Sequence, residues 1–241
     1  MLTSHRMDAF TTNPLSYEPL ERLRVRGPVD RVTFIADKCR GKRVLDIGCF
    51  DETALVKRDT KHYLHGRISA VADQVLGIDR SEKIPSDGIQ TGPNSRIVRG
   101  NGVNPEVPND VDVIVAGEFI EHIESPLEFF RNLRKHYPGK EMIISTPNGS
   151  SFANTLLGVF RREAQHPDHL QIFTFKILNT LCVRMGFPEW EIIPYRFQAS
   201  EMTLNSRGAK RAAALVVQEF VGVVERLCPL LSCGYIVRAK L

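Results

Sequence analysis

The sequence predicts an α/β fold of the doubly wound type, in which helices cover both faces of a mostly parallel sheet. Short apolar runs typical of buried strands recur along the chain and alternate with segments of helical periodicity. Two of these runs end at or near an aspartate, and a third ends in a turn that carries two glutamates and a histidine. Because ligands bind at the carboxyl ends of strands in open α/β sheets, this pattern indicates a ligand site at that edge.

The chain has 241 residues, of which 42% are hydrophobic and 25% charged, so it can form one domain with a sizeable core. We predict an N-terminal helical strap over residues 1–40 and a single domain over residues 41–241. The predicted strands are residues 43–47, 75–79, 96–99, 111–116, 142–145, 191–194 and 235–239. A long amphipathic helix predicted at residues 205–227 is expected to cover the sheet or to contribute to the interface of a homodimer.

The stretch VDVIVAGEFIEHIESPLEFF is the most informative part of the chain. An apolar strand there ends in a turn that carries Glu118, Glu121 and His122. Spacings of three and four residues place side chains on one face if the segment coils, so two carboxylates and an imidazole can converge. Two interpretations remain open, a functional cluster and a solvated acidic turn whose histidine makes one backbone hydrogen bond.

A nucleotide-binding turn is predicted from the segments RVLDIGCFDE and QVLGIDRSEK. Asp46 and Gly48 lie at the end of the first predicted strand, and a glycine there lets the chain turn closely around a ligand. The second strand ends at Asp79, whose carboxylate can accept hydrogen bonds from both hydroxyls of a ribose.

Five blocks of the chain resemble class I S-adenosylmethionine-dependent methyltransferases and occur in the order typical of that family. They are RVLDIGC, VLGID, DVIVAGEFIEHIESPLEFF, IISTPN and HLQIFTFKILNTLCVRMGF. The most similar branch contains ubiquinone-type and natural-product O-methyltransferases. The resemblance implies a seven-stranded Rossmann-like sheet with helices on both faces, S-adenosyl-L-methionine as cofactor, and a helical lid inserted after strand five at about residues 149–170. The cofactor-binding residues that it implies are Asp46, Gly48, Asp79, Asn101, Gly117 and Glu118.

The glycine-rich turn departs from the family pattern. Phe50 and Glu52 stand where the family has two further glycines. We expect the amino-acid end of the cofactor to sit differently or the loop to move on binding, unless Phe50 simply packs under the first helix. Asn101 stands where a carboxylate commonly contacts the adenine amine, and its carbonyl oxygen can still accept that hydrogen bond.

Methyl transfer requires alignment of the acceptor with the methyl group and removal of the acceptor's proton. In a first mechanism His122 is the general base, oriented by Glu118 or Glu121. In a second, which the resemblance implies, Glu118, Glu121, His122 and His169 bind a divalent ion, with His166 as a neighbour. Magnesium, manganese, iron and zinc are the candidate ions. In both mechanisms the predicted catalytic residues are His122, Glu121 and His169.

An apolar helical stretch at residues 152–160 follows the predicted fifth strand. It has four interpretations, namely a lid over the acceptor, a membrane contact, a contact with a partner subunit and ordinary core packing. The sequence leaves all four open.

The resemblance implies methyl transfer to a hydroxyl of a small molecule, such as a natural product, a quinone precursor or a glycan. An RNA 3′-end methyltransferase and an inactive binding protein with the same fold are the alternatives, and a net charge of +4 without a basic run disfavours nucleic acid. A nicotinamide dehydrogenase is disfavoured because its glycine fingerprint is missing. Five cysteines without paired spacing predict reduced thiols, and we expect a cytoplasmic protein without a transmembrane segment.

Overall fold

The computed structural model describes residues 22–50, 60–107 and 110–241 of the chain. These residues form one eight-stranded sheet, ordered β3-β4-β2-β1-β5-β6-β8-β7. The strands are β1 Arg43–Ile47, β2 Gln74–Asp79, β3 Ile89–Gly92, β4 Ser95–Arg99, β5 Val113–Gly117, β6 Glu141–Pro147, β7 Trp190–Tyr195 and β8 Gly234–Lys240. The helices are α1 Arg31–Lys38, α2 Leu64–Ser69, α3 Pro126–His136, α4 Phe152–Val159, α5 Phe175–Met185, α6 Ser200–Leu204 and α7 Gly208–Leu227, with 3₁₀ turns at Ile120–His122 and Pro229–Leu231.

The five central strands run parallel, so their carboxyl ends share one edge of the sheet. β1 pairs with β2 and β5, β2 with β4, and β5 with β6. At the other end of the sheet, β8 is antiparallel to both β6 and β7 and lies between them. The doubly wound sheet predicted from the sequence is thereby confirmed.

Each of the seven predicted strands is present, and no bound differs from the prediction by more than two residues. The structure adds an eighth strand, β3, which forms an antiparallel edge beside β4. Its sequence, IQTG, is short, and none of its residues is buried, so it lacks the apolar run by which strands are recognised.

The core lies on both faces of the sheet, because neighbouring strand residues point to opposite sides. Val44 packs on the face covered by α1 and α2 with Ile35 and Ile68, while Leu45 packs on the face covered by α3 and α5 with Phe129. Helices therefore cover both faces, as the sequence predicts. No helix in the described parts of the chain is long and apolar enough to cross a membrane.

The segment before β1 is attached to the far end of the sheet. Val29 forms a bridge with Tyr195 of β7, and the Asp30 side chain caps α1 by accepting a hydrogen bond from the Thr33 amide. Residues 1–21 of the predicted strap lie outside the described residues, so the strap and the domain boundary at residue 40 stay predictions.

Candidate active site

The predicted site residues follow neighbouring strands at the carboxyl edge of the sheet. Asp46 lies in β1, Asp79 ends β2, and Gly117 and Glu118 end β5, which pairs with β1 on its other side. The sheet therefore brings together side chains that are far apart in the chain.

Gly48 makes the turn after β1. Its φ of +70° lies in the left-handed region, and a Cβ there would come within 2.5 Å of the Phe119 ring. Its amide donates to the Ile78 carbonyl at 2.8 Å, which fixes the turn against β2. A glycine is thus required both by the backbone conformation and by the close approach of Phe119. The rest of the loop, including Glu52, lies outside the described residues.

Asp79 is held by two backbone amides. Its Oδ2 accepts from Phe50 at 3.0 Å and its Oδ1 accepts from Ser81 at 2.9 Å. Backbone donors at both oxygens fix the direction in which the carboxylate points at the end of β2. The backbone of Phe50 thereby orients the carboxylate, although its side chain departs from the family's glycine.

Asp46 belongs to a buried hydrogen-bond network. Its Oδ2 accepts from His65 Nδ1 at 2.9 Å, and His65 Nε2 contacts the Thr91 hydroxyl at 2.9 Å. The Thr91 hydroxyl in turn lies 2.8 Å from that of Ser95. Asp46 and His65 are almost completely buried, so this network anchors the end of β1 next to the turn at Gly48. Burial, followed by the charges of Asp46 and Asp79, raises the pKa of Cys49 well above its usual value, and the thiol stays protonated.

Two further predicted cofactor residues lie at or after strand ends, Gly117 at the end of β5 and Asn101 in the loop after β4. A Cβ on Gly117 would come within 2.6 Å of Leu64, so that position has no room for a side chain. Asn101 is exposed, and its Oδ1 accepts a hydrogen bond from the Val103 amide at 2.9 Å.

Glu118 has an unusual backbone conformation and a crowded carboxylate. Its φ of +54° is rare for a residue with a side chain. The carboxylate accepts from the Tyr195 hydroxyl at 2.9 Å and the Ser145 hydroxyl at 3.2 Å, and Arg31 lies 3.6 Å away. Burial, and then the Glu118 charge, raise the pKa of Tyr195 well above its usual value, so the phenol stays a donor. These contacts hold Glu118 in place at the end of β5.

Glu121 points into the interior. It is 1% exposed, and neither carboxylate oxygen has a hydrogen-bond partner among the described residues. The Thr146 hydroxyl is near enough to lower the pKa of Glu121 but also lacks a hydrogen-bond partner. Burial and, second, repulsion by Glu118 raise the pKa of Glu121 to about 8. The group is therefore mostly protonated near neutral pH.

Three histidines meet beside the 3₁₀ turn. The ring of His122 lies 4.7 Å from that of His169 and 5.7 Å from that of His166, measured between centroids. One nitrogen from each ring lies within 4.8 Å of the others. The distant histidines reach His122 because the amides of Leu170 and Gln171 donate to the Glu121 carbonyl.

The hydrogen bonds of the three histidines indicate which ring nitrogen of each carries the proton. His122 Nδ1 lies 3.2 Å from the Asp168 carbonyl, and His169 Nδ1 lies 3.2 Å from Gln165 Oε1. Both partners are acceptors, so both Nδ1 atoms carry protons and both Nε2 atoms keep a lone pair. His166 Nδ1 instead accepts from the Asp168 amide, which places its proton on Nε2. Burial, and next the neighbouring His122 and His166, lower the pKa of His169 and favour its neutral form.

These donors fit an ion that prefers imidazole. Free Nε2 lone pairs on His122 and His169 suit zinc, iron or manganese better than magnesium, which prefers oxygen. The cluster within 4.8 Å consists of histidines, whereas Glu118 is bonded to Tyr195 and Ser145 and Glu121 lies in the interior.

Several side chains at this site were not predicted from the sequence. His65 supports Asp46, and Arg31, Ser145 and Tyr195 surround Glu118. Ser145 ends the predicted strand before TPN, which is a weak signal for a residue near the site. The other three stand in stretches without a motif, so the sequence offers no comparable signal for them.

Comparisons with known proteins identify the family of the chain. The chain matches a family described as "Methyltransferase domain" over residues 20–191. The mitochondrial ubiquinone biosynthesis O-methyltransferase of Schizosaccharomyces pombe is 27% identical over 118 residues, which are 48% of this chain and 42% of that protein. The chain thus aligns with less than half the length of this relative.

Solved structures are similar in fold at low sequence identity. A SAM-dependent methyltransferase from Archaeoglobus fulgidus is 18% identical with a TM-score of 0.51, covering 88% of this chain and 91% of that one. A SAM-dependent methyltransferase from Thermotoga maritima, described as a possible histamine N-methyltransferase, is 12% identical with a TM-score of 0.56, covering 88% and 87%. The family match spans well over half of the chain. The chain therefore belongs to the methyltransferase-domain family, and its fold is that of class I S-adenosylmethionine-dependent methyltransferases.

Proposed function

We propose that this protein transfers the methyl group of S-adenosylmethionine to a hydroxyl group of a small molecule. The observation that carries the proposal is the pair of Nε2 lone pairs on His122 and His169 at the edge where the cofactor strands end. A site with free imidazole nitrogens next to a methyl donor suits an acceptor that must lose a proton.

The cofactor is expected to lie across the ends of β1, β2 and β5. In this proposal Asp79 accepts from the ribose hydroxyls, and Gly48 and Gly117 let the backbone approach the ligand. Asn101 lies beside the adenine, and Asp46 holds the turn through His65. When it is bound, S-adenosylmethionine supplies a methyl group already activated by its sulfonium charge.

The proton of the acceptor hydroxyl is expected to pass to His122 Nε2. The Asp168 carbonyl holds the Nδ1 proton of His122 at 3.2 Å and stabilises the imidazolium that forms. The lowered pKa of His169 keeps that ring neutral, so it can accept a hydrogen bond from the same hydroxyl. Glu118 lies at the end of β5, fixed by Tyr195 and Arg31, and its charge opposes the lowering of the His169 pKa.

A divalent ion is the second way to remove the proton. His122 and His169 would hold it, joined by Glu118 and Glu121 if their carboxylates turn toward the histidines. Such an ion supplies a lower pKa for the bound hydroxyl. The donors that face one another in the structure are imidazoles, which supports zinc, iron or manganese over magnesium.

Oxygen as the acceptor atom is supported by the Schizosaccharomyces pombe relative, whose name states O-methylation. The Thermotoga maritima protein is described as a possible N-methyltransferase, so the test includes an amine. The purified protein would be incubated with isotope-labelled S-adenosylmethionine and a catechol, a monosaccharide or histamine. Label in a hydroxyl product supports the proposal, and label confined to histamine contradicts it.

His122→Gln should lower kcat by about 100-fold or more, because glutamine cannot take up a proton. Binding of S-adenosylhomocysteine, measured by calorimetry, should stay unchanged. His136→Gln is the matched control, since His136 ends α3, where it contacts Asn104, and its replacement should not affect turnover. Activity that a chelator abolishes and one ion restores supports the metal mechanism, whereas chelator-resistant activity supports the general base. Full activity in His122→Gln would contradict both.

A further inference from the structure

The long helix α7 buries residues on one face. Its inner positions include Ala214, Val221 and Glu225, which are buried. The Glu225 carboxylate accepts hydrogen bonds from the amides of Phe197 and Cys233 at 2.9 and 2.7 Å. These contacts set the rotation of the helix, so its opposite side is largely exposed. On that side Phe220 also contacts the Phe152 ring of α4, at 5.9 Å between ring centroids.

That outer face is apolar. Val216, Phe220, Val223 and Leu227 are 69%, 56%, 49% and 78% exposed. A surface helix normally presents polar residues to water, so four large apolar side chains in one stripe indicate a partner. We call these four residues the outer stripe of α7.

The spacing of the outer stripe indicates the kind of partner. Its members are separated by four, three and four residues, and Ala213 continues the pattern three residues before Val216. This is the a/d spacing of a coiled-coil seam, whose knobs pack into holes on another helix. The surface thus fits a second helix with the same repeat, and α7 of another copy is such a helix.

Charges beside the outer stripe fit an antiparallel pairing. Glu219 and Arg226 lie one heptad apart on the same flank, 3.9 Å from each other at their closest atoms and both well exposed. If a two-fold axis passes between Phe220 and Val223, Phe220 packs on Val223 of the second copy and Val216 on its Leu227. The same axis places Glu219 opposite Arg226 of the second copy, twice by symmetry.

We propose that α7 forms the two-fold interface of a homodimer, with the outer stripes of two copies packed antiparallel. The pairing of Glu219 with Arg226 across the two-fold axis favours a second copy as the occupant of this face. None of the four outer-stripe residues is a predicted cofactor-binding or catalytic residue, so the proposal goes beyond the proposed function and does not depend on it.

Sedimentation equilibrium of the full chain tests the interface. The wild-type protein should behave as a dimer at micromolar concentration, and Phe220→Glu should be a monomer. The matched control is Val183→Glu, which places the same charge at a half-exposed apolar position on α5. Circular dichroism and binding of S-adenosylhomocysteine would show that both variants are folded.

Charge exchange tests the register. Glu219→Arg and Arg226→Glu should each raise the dimer dissociation constant at least tenfold, because each sets like charges opposite one another. The double variant should restore the dissociation constant of the wild-type dimer. If the single variants were merely misfolded, combining them would not restore dimerisation. A wild-type monomer, a dimer that persists in Phe220→Glu, or single and double variants that behave alike would each overturn the proposal. Binding to phosphatidylserine vesicles tests the alternative that α7 docks on a membrane. A membrane-docking helix would bind the vesicles more tightly after Glu219→Arg and would not self-associate.

Discussion

At the scale of single residues, Asp79 shows how the backbone prepares a side chain for a ligand. Its two oxygens are each fixed by one amide, from Phe50 and from Ser81. The carboxylate is therefore oriented by backbone amides, although Phe50 stands where the family has a glycine.

Replacing Asp79 by Ala should weaken binding of S-adenosylhomocysteine by about 1.5 to 3 kcal/mol, the contribution of hydrogen bonds to a charged group. Titration calorimetry measures this difference directly. Asp73→Ala is the control, since Asp73 is an exposed aspartate just before β2. An unchanged affinity in Asp79→Ala, or wild-type protein that binds NAD instead, would contradict the assignment of the cofactor site.

The sequence was sufficient to predict which residues gather at the carboxyl edge, because glycines and acids at strand ends are local signals. It could not predict their partners. Tyr195 follows Glu118 by 77 residues, and Arg31 precedes it by 87, so only the folded sheet brings them together. The sequence also could not predict that Glu121 points into the interior. The prediction assumed the spacing of an α-helix, whereas Glu121 lies in a 3₁₀ turn.

At the scale of elements, α4 differs from a core helix. None of its residues is buried, and Val159 and the following Phe160 are 73% and 68% exposed. Core packing, one of the four interpretations of residues 152–160, is therefore wrong for this stretch. The Phe152 ring contacts Phe220 of α7 at 5.9 Å between centroids, so α4 is attached at its beginning.

We expect α4 to act as a lid over the acceptor. The double variant Leu156→Ser, Phe160→Ser should raise the KM for the acceptor several-fold and leave the affinity for S-adenosylhomocysteine unchanged. The melting temperature should change little, because Leu156 is 39% and Phe160 68% exposed, so neither side chain belongs to the buried core. Ile177→Ser on α5 is a control, as it also removes a part-exposed apolar side chain. Parallel loss of cofactor binding and of thermal stability would contradict the lid.

At the scale of the whole molecule, an ion network joins the last strand to the first. Arg238 of β8 donates to Glu141 of β6, and Lys42, just before β1, bonds the same carboxylate at 3.0 Å. Burial alone would raise the pKa of Glu141. The hydrogen bonds and charges of Arg238, and then of Lys42, outweigh burial and hold this pKa below the ordinary glutamate value of 4.5. The network therefore stabilises the fold only while Glu141 is ionised.

Glu141→Gln should lower the free energy of unfolding by about 3 kcal/mol at pH 7, because it leaves the nearly buried Arg238 without its charge partner. The folded-state pKa is lower than the unfolded value of 4.5, so this contribution is present above pH 4.5 and lost as the pH falls through the folded-state pKa. Urea unfolding of both proteins across this range measures the effect. Asp37→Asn removes the exposed pair with Arg40 and should cost under about 1 kcal/mol. Equal losses in the two variants would contradict a special role of the network.

The overall architecture was predictable because buried parallel strands leave strong apolar runs. The edge strand β3 left none, and the order of β7 and β8 depends on pairing between distant segments. The contacts of α7 could not be predicted either. This helix carries apolar residues on two faces, and the sequence pattern does not indicate which face packs against the rest of the protein.

The place of β8 between β6 and β7 has a consequence for synthesis of the chain on the ribosome. Among the described strands β7 pairs with β8 alone, so it cannot join the sheet before residues 234–240 have left the exit tunnel. Tyr195 belongs to β7, and its hydroxyl reaches Glu118 only at that moment. A nascent chain stalled before Gly234 therefore carries the ends of β1, β2 and β5 without the contact between Tyr195 and Glu118 at this edge of the sheet.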